Sequence, residues 1–265
     1  MSDSYVHGYD LHETLSLRDQ ADALVELLHA DTAYPDGSTV LEVGCGVGAQ
    51  TVKLARRSPG ALITAVDRSP ASLAEAERRV AAAGLRNVTF VEADLFSPPF
   101  GRASFDHLFL CFVLEHLSDP AAALTTLLRL LRPGGSVTVI EGDHGSGFFH
   151  PDDADARSAI ASRVALQRDG GGDAQIGRRL YPLLSDTGLA GVSVTPRMVY
   201  VDGSRPDLAD VFTRRTFTAM IAGVRERVLA STRMEPARFD AGIRALERAA
   251  APDGVFCYTF FKAVG

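Results

Sequence analysis
Five short, nearly all-apolar runs lie between residues 39 and 140, with helical segments among them: Thr39–Val43, Ala61–Val66, Asn87–Val91, Phe105–Phe112 and Ser136–Ile140. Runs of this kind suit strands buried on both faces. The helical segments carry their own boundaries. Ser69 caps a helix with Pro70 at its first position, and Gly84 ends it. Asp119-Pro120 repeats that start, Leu124, Leu127, Leu128 and Leu131 line one face, and Pro133-Gly134-Gly135 stops it. Leu11 to Leu28 reads as a leading helix, and Thr51 to Arg57 as the helix after the first strand. Strands that alternate with helices must pair in parallel through right-handed crossovers. The α/β solution is an open, doubly wound sheet.

After the fifth strand the rhythm changes. A sixth strand is expected at Gly191–Val201 and a seventh at Gly254–Ala263. Residues 145–175 and 203–251 read as two helical insertions, the second interrupted near Glu235-Pro236. No linker sets them apart, and the seventh strand must return to the sheet. The expectation is one domain over 1–265, with a core of about 11–142 plus the last two strands, and a helical cap. A chain of 265 residues, 46% hydrophobic, buries its core without disulfides or metal. The net charge of −6 and the lack of a dense Lys/Arg run argue against a nucleic-acid partner. No apolar run approaches the ~20 residues of a membrane span. The polar N-terminus has no apolar signal region, and the three scattered cysteines suit a reducing compartment. A cytoplasmic location is therefore expected.

The chemistry concentrates after the first strand. Val40-Leu-Glu-Val-Gly-Cys-Gly-Val-Gly-Ala-Gln-Thr51 places Glu42, Gly44, Gly46 and Gly48 in the pattern E-x-G-x-G-x-G between a strand and a helix. Glycines there let the chain turn tightly and let a ligand approach the backbone. The spacing differs from the dinucleotide fingerprint G-x-G-x-x-G. Glu42 would repel a diphosphate but attract an ammonium, so an adenosyl amino acid fits better. Asp67, with Arg68 beside it, follows the second strand, where an acid accepts ribose hydroxyl protons. Asp94 follows the third strand, placed for an adenine amine, and the Leu95 N–H is placed for the ring. Acids at successive strand ends on one sheet edge make one site.

From about residue 38 to 140 the chain resembles the class I methyltransferases of the ubiquinone/menaquinone-biosynthesis-like branch. Phe105-Asp-His-Leu-Phe-Leu-Cys-Phe-Val-Leu-Glu-His-Leu117 and Leu131-Arg-Pro-Gly-Gly135 add to the pieces above. The resemblance implies a seven-stranded Rossmann-like sheet, mostly parallel with an antiparallel last strand, and S-adenosyl-L-methionine as cofactor. It implies that Cys111 meets the methionine part through its backbone and that Gln50 lies near the cofactor carboxylate, which a helix N-terminus favours. Tyr5, His7 and Tyr9 are then expected in a lid over the cofactor, Tyr9 among its contacts.

Glu115 and His116 after strand four, and Asp143 and His144 after strand five, are expected at the methyl-donor end of the cleft. Histidine suits proton handling at neutral pH, so His144 or His116 removes or orients a substrate proton, with Glu115 beside it. Equally, Glu115-His116 orients the helix that follows. Phe148, Phe149, Met198, Tyr200, Phe212, Phe217 and Met220 are expected as packing between cap and sheet, or as pocket lining. The acids Asp152, Asp153 and Asp155 fit a helix start, and no metal is expected. The expected activity is methyl transfer to an O, N, S or C nucleophile of a small, partly apolar metabolite. Its alternative is cofactor-assisted cyclisation or rearrangement without methylation. The expected partner is a small-molecule substrate, with neither nucleic acid nor membrane; a homodimer stands beside the monomer as assembly state.

Overall fold
The computed structural model describes residues 27–265. The expected leading helix and the Tyr5–Tyr9 lid fall mostly or wholly outside the described residues, and helical backbone is present at Leu27–His29. Seven strands form one sheet in the order β3-β2-β1-β4-β5-β7-β6. They are β1 (Thr39–Val43), β2 (Leu62–Asp67), β3 (Val88–Glu92), β4 (Phe105–Cys111), β5 (Leu131–His150), β6 (Ser193–Asp202) and β7 (Val255–Val264). Only β7 runs against its neighbours, β5 and β6. The expected topology, with its antiparallel last strand, is the one observed.

Four helices flank the parallel half and the start of the cap: α1 (Ala49–Arg57), α2 (Pro70–Ala82), α3 (Pro120–Leu128) and α4 (Ala154–Asp169). Their starts follow from local chemistry. The Ser69 hydroxyl accepts from the Ser72 N–H at 3.2 Å, and Asp119 Oδ1 accepts from the Ala122 N–H at 2.9 Å. Asp153 Oδ1 accepts from the N–H groups of Asp155 and Ala156 at 2.8 and 2.9 Å. That acid therefore serves as a helix cap.

Strand alternation builds two cores. Leu41, Val43, Leu108, Leu110, Val137 and Val139 face one side, against Leu124 and Leu127 of α3. Val40, Phe109, Ile140, Phe256 and Phe260 face the other, against Leu54 of α1 and the cap. Each such side chain contributes roughly 1.5–3 kcal/mol through burial.

Two corrections arise. Strand five does not stop at Ile140. It continues to His150, because its second half pairs with β7, with Phe148 opposite Cys257 and His150 opposite Val255. Asp143 and His144 consequently sit within the strand, and the first insertion is extended before it is helical. In addition, Phe148, Met198 and Tyr200 are exposed, at 55%, 59% and 40%, and line no interior pocket. Phe149, Phe212 and Phe217 are buried, as cap-to-sheet packing requires. The second insertion comprises a π-helix at Ala209–Thr218, α-helices α6 (Arg225–Ala230) and α7 (Pro236–Arg248), and short turns; α5 is the earlier Leu180–Ser185. No helix among the described residues is long and apolar enough to cross a membrane.

Candidate active site
Strand β1 has β2 on one side and β4 on the other, so the chain direction of the crossovers reverses there. Ligands of doubly wound sheets sit at such a point, beyond the strand C-termini. The glycine loop occupies it. The Cys45 N–H donates to the Val66 carbonyl at 2.9 Å, and the Gly46 N–H donates to Asp67 Oδ2 at 2.8 Å. Gly46 has φ 51°, and a Cβ there would point into open space. Its backbone therefore faces a region a ligand can enter. Gly48, at φ 78°, caps α1, and a Cβ there would stand 2.8 Å from the Cβ of Ala76 on α2. Gly48→Ala combines left-handed strain with overpacking, a loss of about 2 to 5 kcal/mol. Urea unfolding checks this, and an unchanged midpoint would contradict the packing described.

The three expected acids meet at this edge. Glu42 is 2% exposed, and its Oε2 has no hydrogen-bond partner. Burial pushes its carboxyl up to about 8, and the charge of Asp67 adds to the shift. A buried acid with an open oxygen is a place for a cation. Asp67 Oδ1 accepts from the Ser69 N–H at 2.9 Å, so each of its oxygens holds one backbone donor and keeps further acceptor capacity. Asp67 stands opposite Glu92 in the β2–β3 register, which brings Asp94 to the same edge. Asp94 is exposed, and its Oδ1 accepts from the Phe96 N–H at 2.9 Å. Leu95 is half-buried in the apolar cluster beneath, and Arg68 is exposed.

Gln50 is held by a residue that sequence reasoning missed. Its Oε1 lies 2.7 Å from His29 Nε2. Burial depresses the His29 imidazole to about 4, so the ring is neutral and its Nε2–H donates to the amide oxygen. The Gln50 NH₂ group is left to donate elsewhere. Cys111 ends β4, and burial pushes its thiol up. Tyr9 lies outside the described residues.

Beyond β4 and along β5 a second group of polar residues is buried. His144 Nδ1 is 2.8 Å from the Tyr258 hydroxyl, and its Nε2 is 3.3 Å from Met220 Sδ. A thioether only accepts, so Nε2 carries the ring proton and the Tyr258 hydroxyl donates to Nδ1. Burial holds His144 down to about 3, with the charge of Arg163 acting in the same direction. The ring is therefore neutral at physiological pH. Asp143 takes a two-pronged ion pair from Arg178, at 2.7 and 2.8 Å.

Glu115 and His116 form a 3₁₀ turn, with His116 Nε2 at 3.5 Å from Glu115 Oε1. Burial lowers the His116 pKa, and the Glu115 charge opposes that. Gln167 of α4 donates to the Glu115 carbonyl at 2.9 Å and to its Oε2 at 3.2 Å. These contacts tie the cap to the β4 exit. The sequence assigned no role to Glu141 or Tyr258. A charged residue directly continuing an apolar strand was the available signal for Glu141. For Tyr258, 114 positions from its histidine, no local signal exists.

Residues 40–135 match the family described as "Methyltransferase domain". The chain carries a class I S-adenosylmethionine-dependent methyltransferase domain. The methyltransferase domain match spans β1 to the first residues of β5, and so includes the glycine loop, Asp67, Asp94 and Cys111. Glu141, His144, Tyr258 and the cap lie beyond it. An uncharacterized 37.1 kDa protein in a transposon of Streptomyces fradiae is 32% identical over 204 residues, 74% of this chain and 56% of that protein. Demethylmenaquinone methyltransferase of Thermus thermophilus is 37% identical over 102 residues, 38% of this chain and 46% of the enzyme. The chain thus spans about half the length of the curated relatives it matches. Among solved structures, a Haemonchus contortus phosphoethanolamine N-methyltransferase bound to phosphomonomethylethanolamine and S-adenosylhomocysteine shares the fold. Its TM-score is 0.56 at 20% identity, covering 93% of this chain and 52% of that one.

Proposed function
We propose that the chain transfers a methyl group from S-adenosyl-L-methionine to an O, N, S or C nucleophile of a small, partly apolar metabolite. One observation carries this reading: the open backbone at Gly46 belongs to the same sheet edge as Glu42, whose buried Oε2 has no hydrogen-bond partner, and as Asp67, which has acceptor capacity to spare. These groups fit an adenosyl amino acid. Asp67 accepts from the ribose hydroxyls, and Glu42 receives the ammonium. Gln50 and the α1 N-terminus face the carboxylate. Asp94 and the Leu95 N–H meet the adenine, Arg68 borders the ribose, and the Cys111 backbone borders the methionine part. The bound cofactor supplies an electrophilic methyl on a sulfonium.

His144 orients the substrate. Its Nε2–H points at Met220 Sδ, a weak acceptor that a substrate oxygen or nitrogen displaces. Tyr258 keeps the imidazole in that tautomer. Glu115 supports the site by joining the β4 exit to α4, with His116 beside it. The test is S-adenosylhomocysteine formation with a panel of small phenols, amines, thiols and carboxylic acids. His144→Ala is expected to cut turnover at least about tenfold while cofactor affinity stays within a few-fold of the parent. Turnover within a few-fold of the parent would remove His144 from the mechanism. Substrate consumption without S-adenosylhomocysteine would point to non-methylating cyclisation instead.

A further inference from the structure
We propose that Glu141 is a positioning residue for the cofactor: it fixes the turn that leaves β4 so that Val113 closes against the glycine loop. The proposal rests on the cofactor reading above. Glu141 is fully buried on β5. Its Oε1 accepts from the Val113 N–H at 2.9 Å and the Leu114 N–H at 2.7 Å. Its Oε2 is buried without a partner.

The turn needs such a hold. Phe112, directly before Val113, has φ 58°, a left-handed backbone that a phenylalanine adopts only when its surroundings impose it. The Phe112 N–H donates to the Ile140 carbonyl at 2.9 Å, and its ring packs on Phe260 at 5.5 Å. Val113 then carries the effect across the sheet. A Cβ on Gly44 would lie 2.8 Å from Val113 Cγ2, so this side chain abuts the first glycine of the loop. The chain of contacts is Glu141, the Val113 backbone, the Val113 side chain, Gly44. It joins Glu141, beyond the matched domain, to the loop inside it.

The groups facing Glu141 are the Glu115 carboxylate, the Cys111 thiol and the Tyr258 hydroxyl. Burial, with the Glu115 charge second, holds the Glu141 carboxyl well above the usual carboxylate range. A carboxyl that accepts both N–H groups through one oxygen is closely imitated by glutamine, whose amide oxygen accepts in the same way. Leucine has similar bulk and no acceptor.

Calorimetric titration with S-adenosylhomocysteine of the parent, Glu141→Gln, Glu141→Leu, Val113→Ala and the Leu/Ala double variant tests this, with thermal unfolding as a check on folding. The expected result is affinity within about threefold for Glu141→Gln and a loss of at least about tenfold for Glu141→Leu. Because both single changes act through one contact, the double variant should bind within about threefold of Glu141→Leu alone. Parent-like affinity in a folded Glu141→Leu variant, or multiplicative losses in the double variant, would overturn the proposal. If Glu141→Leu does not fold, Glu141→Asp replaces it. Its shorter side chain misses the two N–H groups, so parent-like affinity there is equally decisive against. A folded parent that binds no S-adenosylhomocysteine would instead remove the cofactor reading, and this proposal with it.

Discussion

Alanine at position 67 is expected to weaken S-adenosylmethionine binding by about two orders of magnitude or more. Two losses combine. The carboxylate no longer accepts from the ribose hydroxyls, and hydrogen bonds to a charged group contribute about 1.5–3 kcal/mol each. The glycine loop also loses its tie, because Asp67 Oδ2 holds the Gly46 N–H at 2.8 Å while Oδ1 holds the Ser69 N–H at 2.9 Å. Together these reach about 3–5 kcal/mol, or roughly 10²–10⁴ in affinity. Asp67→Asn separates the parts. It retains one acceptor for the loop and loses the charge, so its affinity should fall between parent and alanine variant. Equal affinity in all three proteins would mean that the ribose is held elsewhere.

The second large effect is a trade between stability and binding at Glu42. Its carboxyl has an ordinary value of 4.5 and stands at about 8 in the folded protein. The folded state therefore holds a proton that the unfolded chain has given up between these values. Stability from this group is fully present below about 4.5 and is lost as pH rises through about 8. Between pH 6.5 and 8 the loss is about 2 kcal/mol from Glu42 alone. Glu42→Gln removes that slope. The raised Glu141 contributes a slope of its own to both proteins, so the difference between them is the quantity to measure. Urea unfolding at pH 6.5 and pH 8 should show the glutamine variant gaining on the parent as pH rises. The same variant should bind S-adenosylmethionine at least about tenfold more weakly, since it offers no carboxylate to the ammonium. Parallel pH profiles, with unchanged affinity, would contradict both the burial argument and the ligand assigned to Glu42.

Much of the parallel half was legible because its causes are local. Ser69 and Asp119 cap helices through side chains one turn from the groups they satisfy. Asp67 and Glu42 were readable because strand ends and a glycine loop carry them to one edge whatever the rest of the chain does. The extension of β5 was not legible. Glu141 to Ser146 is a polar stretch, carried in the strand because β7, more than a hundred residues later, pairs with Glu141–Asp143 and Phe148–His150 on either side of an irregularity. A similar distance hid Tyr258 as the partner of His144, and Glu141 anchors Val113 and Leu114 across 28 and 27 residues, still beyond any one element. His144 was found by topology, but its burial, its neutral state and its contact with Met220 come from packing that no short window encodes. The exposed faces of Phe148, Met198 and Tyr200 belong to the same class. Met198 and Tyr200 fell in the expected sixth strand and Phe148 in the expected helical insertion, and nothing local told which face the cap would leave open.

Calorimetric titration of the folded chain with S-adenosylmethionine and S-adenosylhomocysteine tests the central claim most directly. The account predicts saturable binding of both at a single site, lost or strongly weakened in Asp67→Ala. A folded chain that takes up neither compound at millimolar concentration would contradict it.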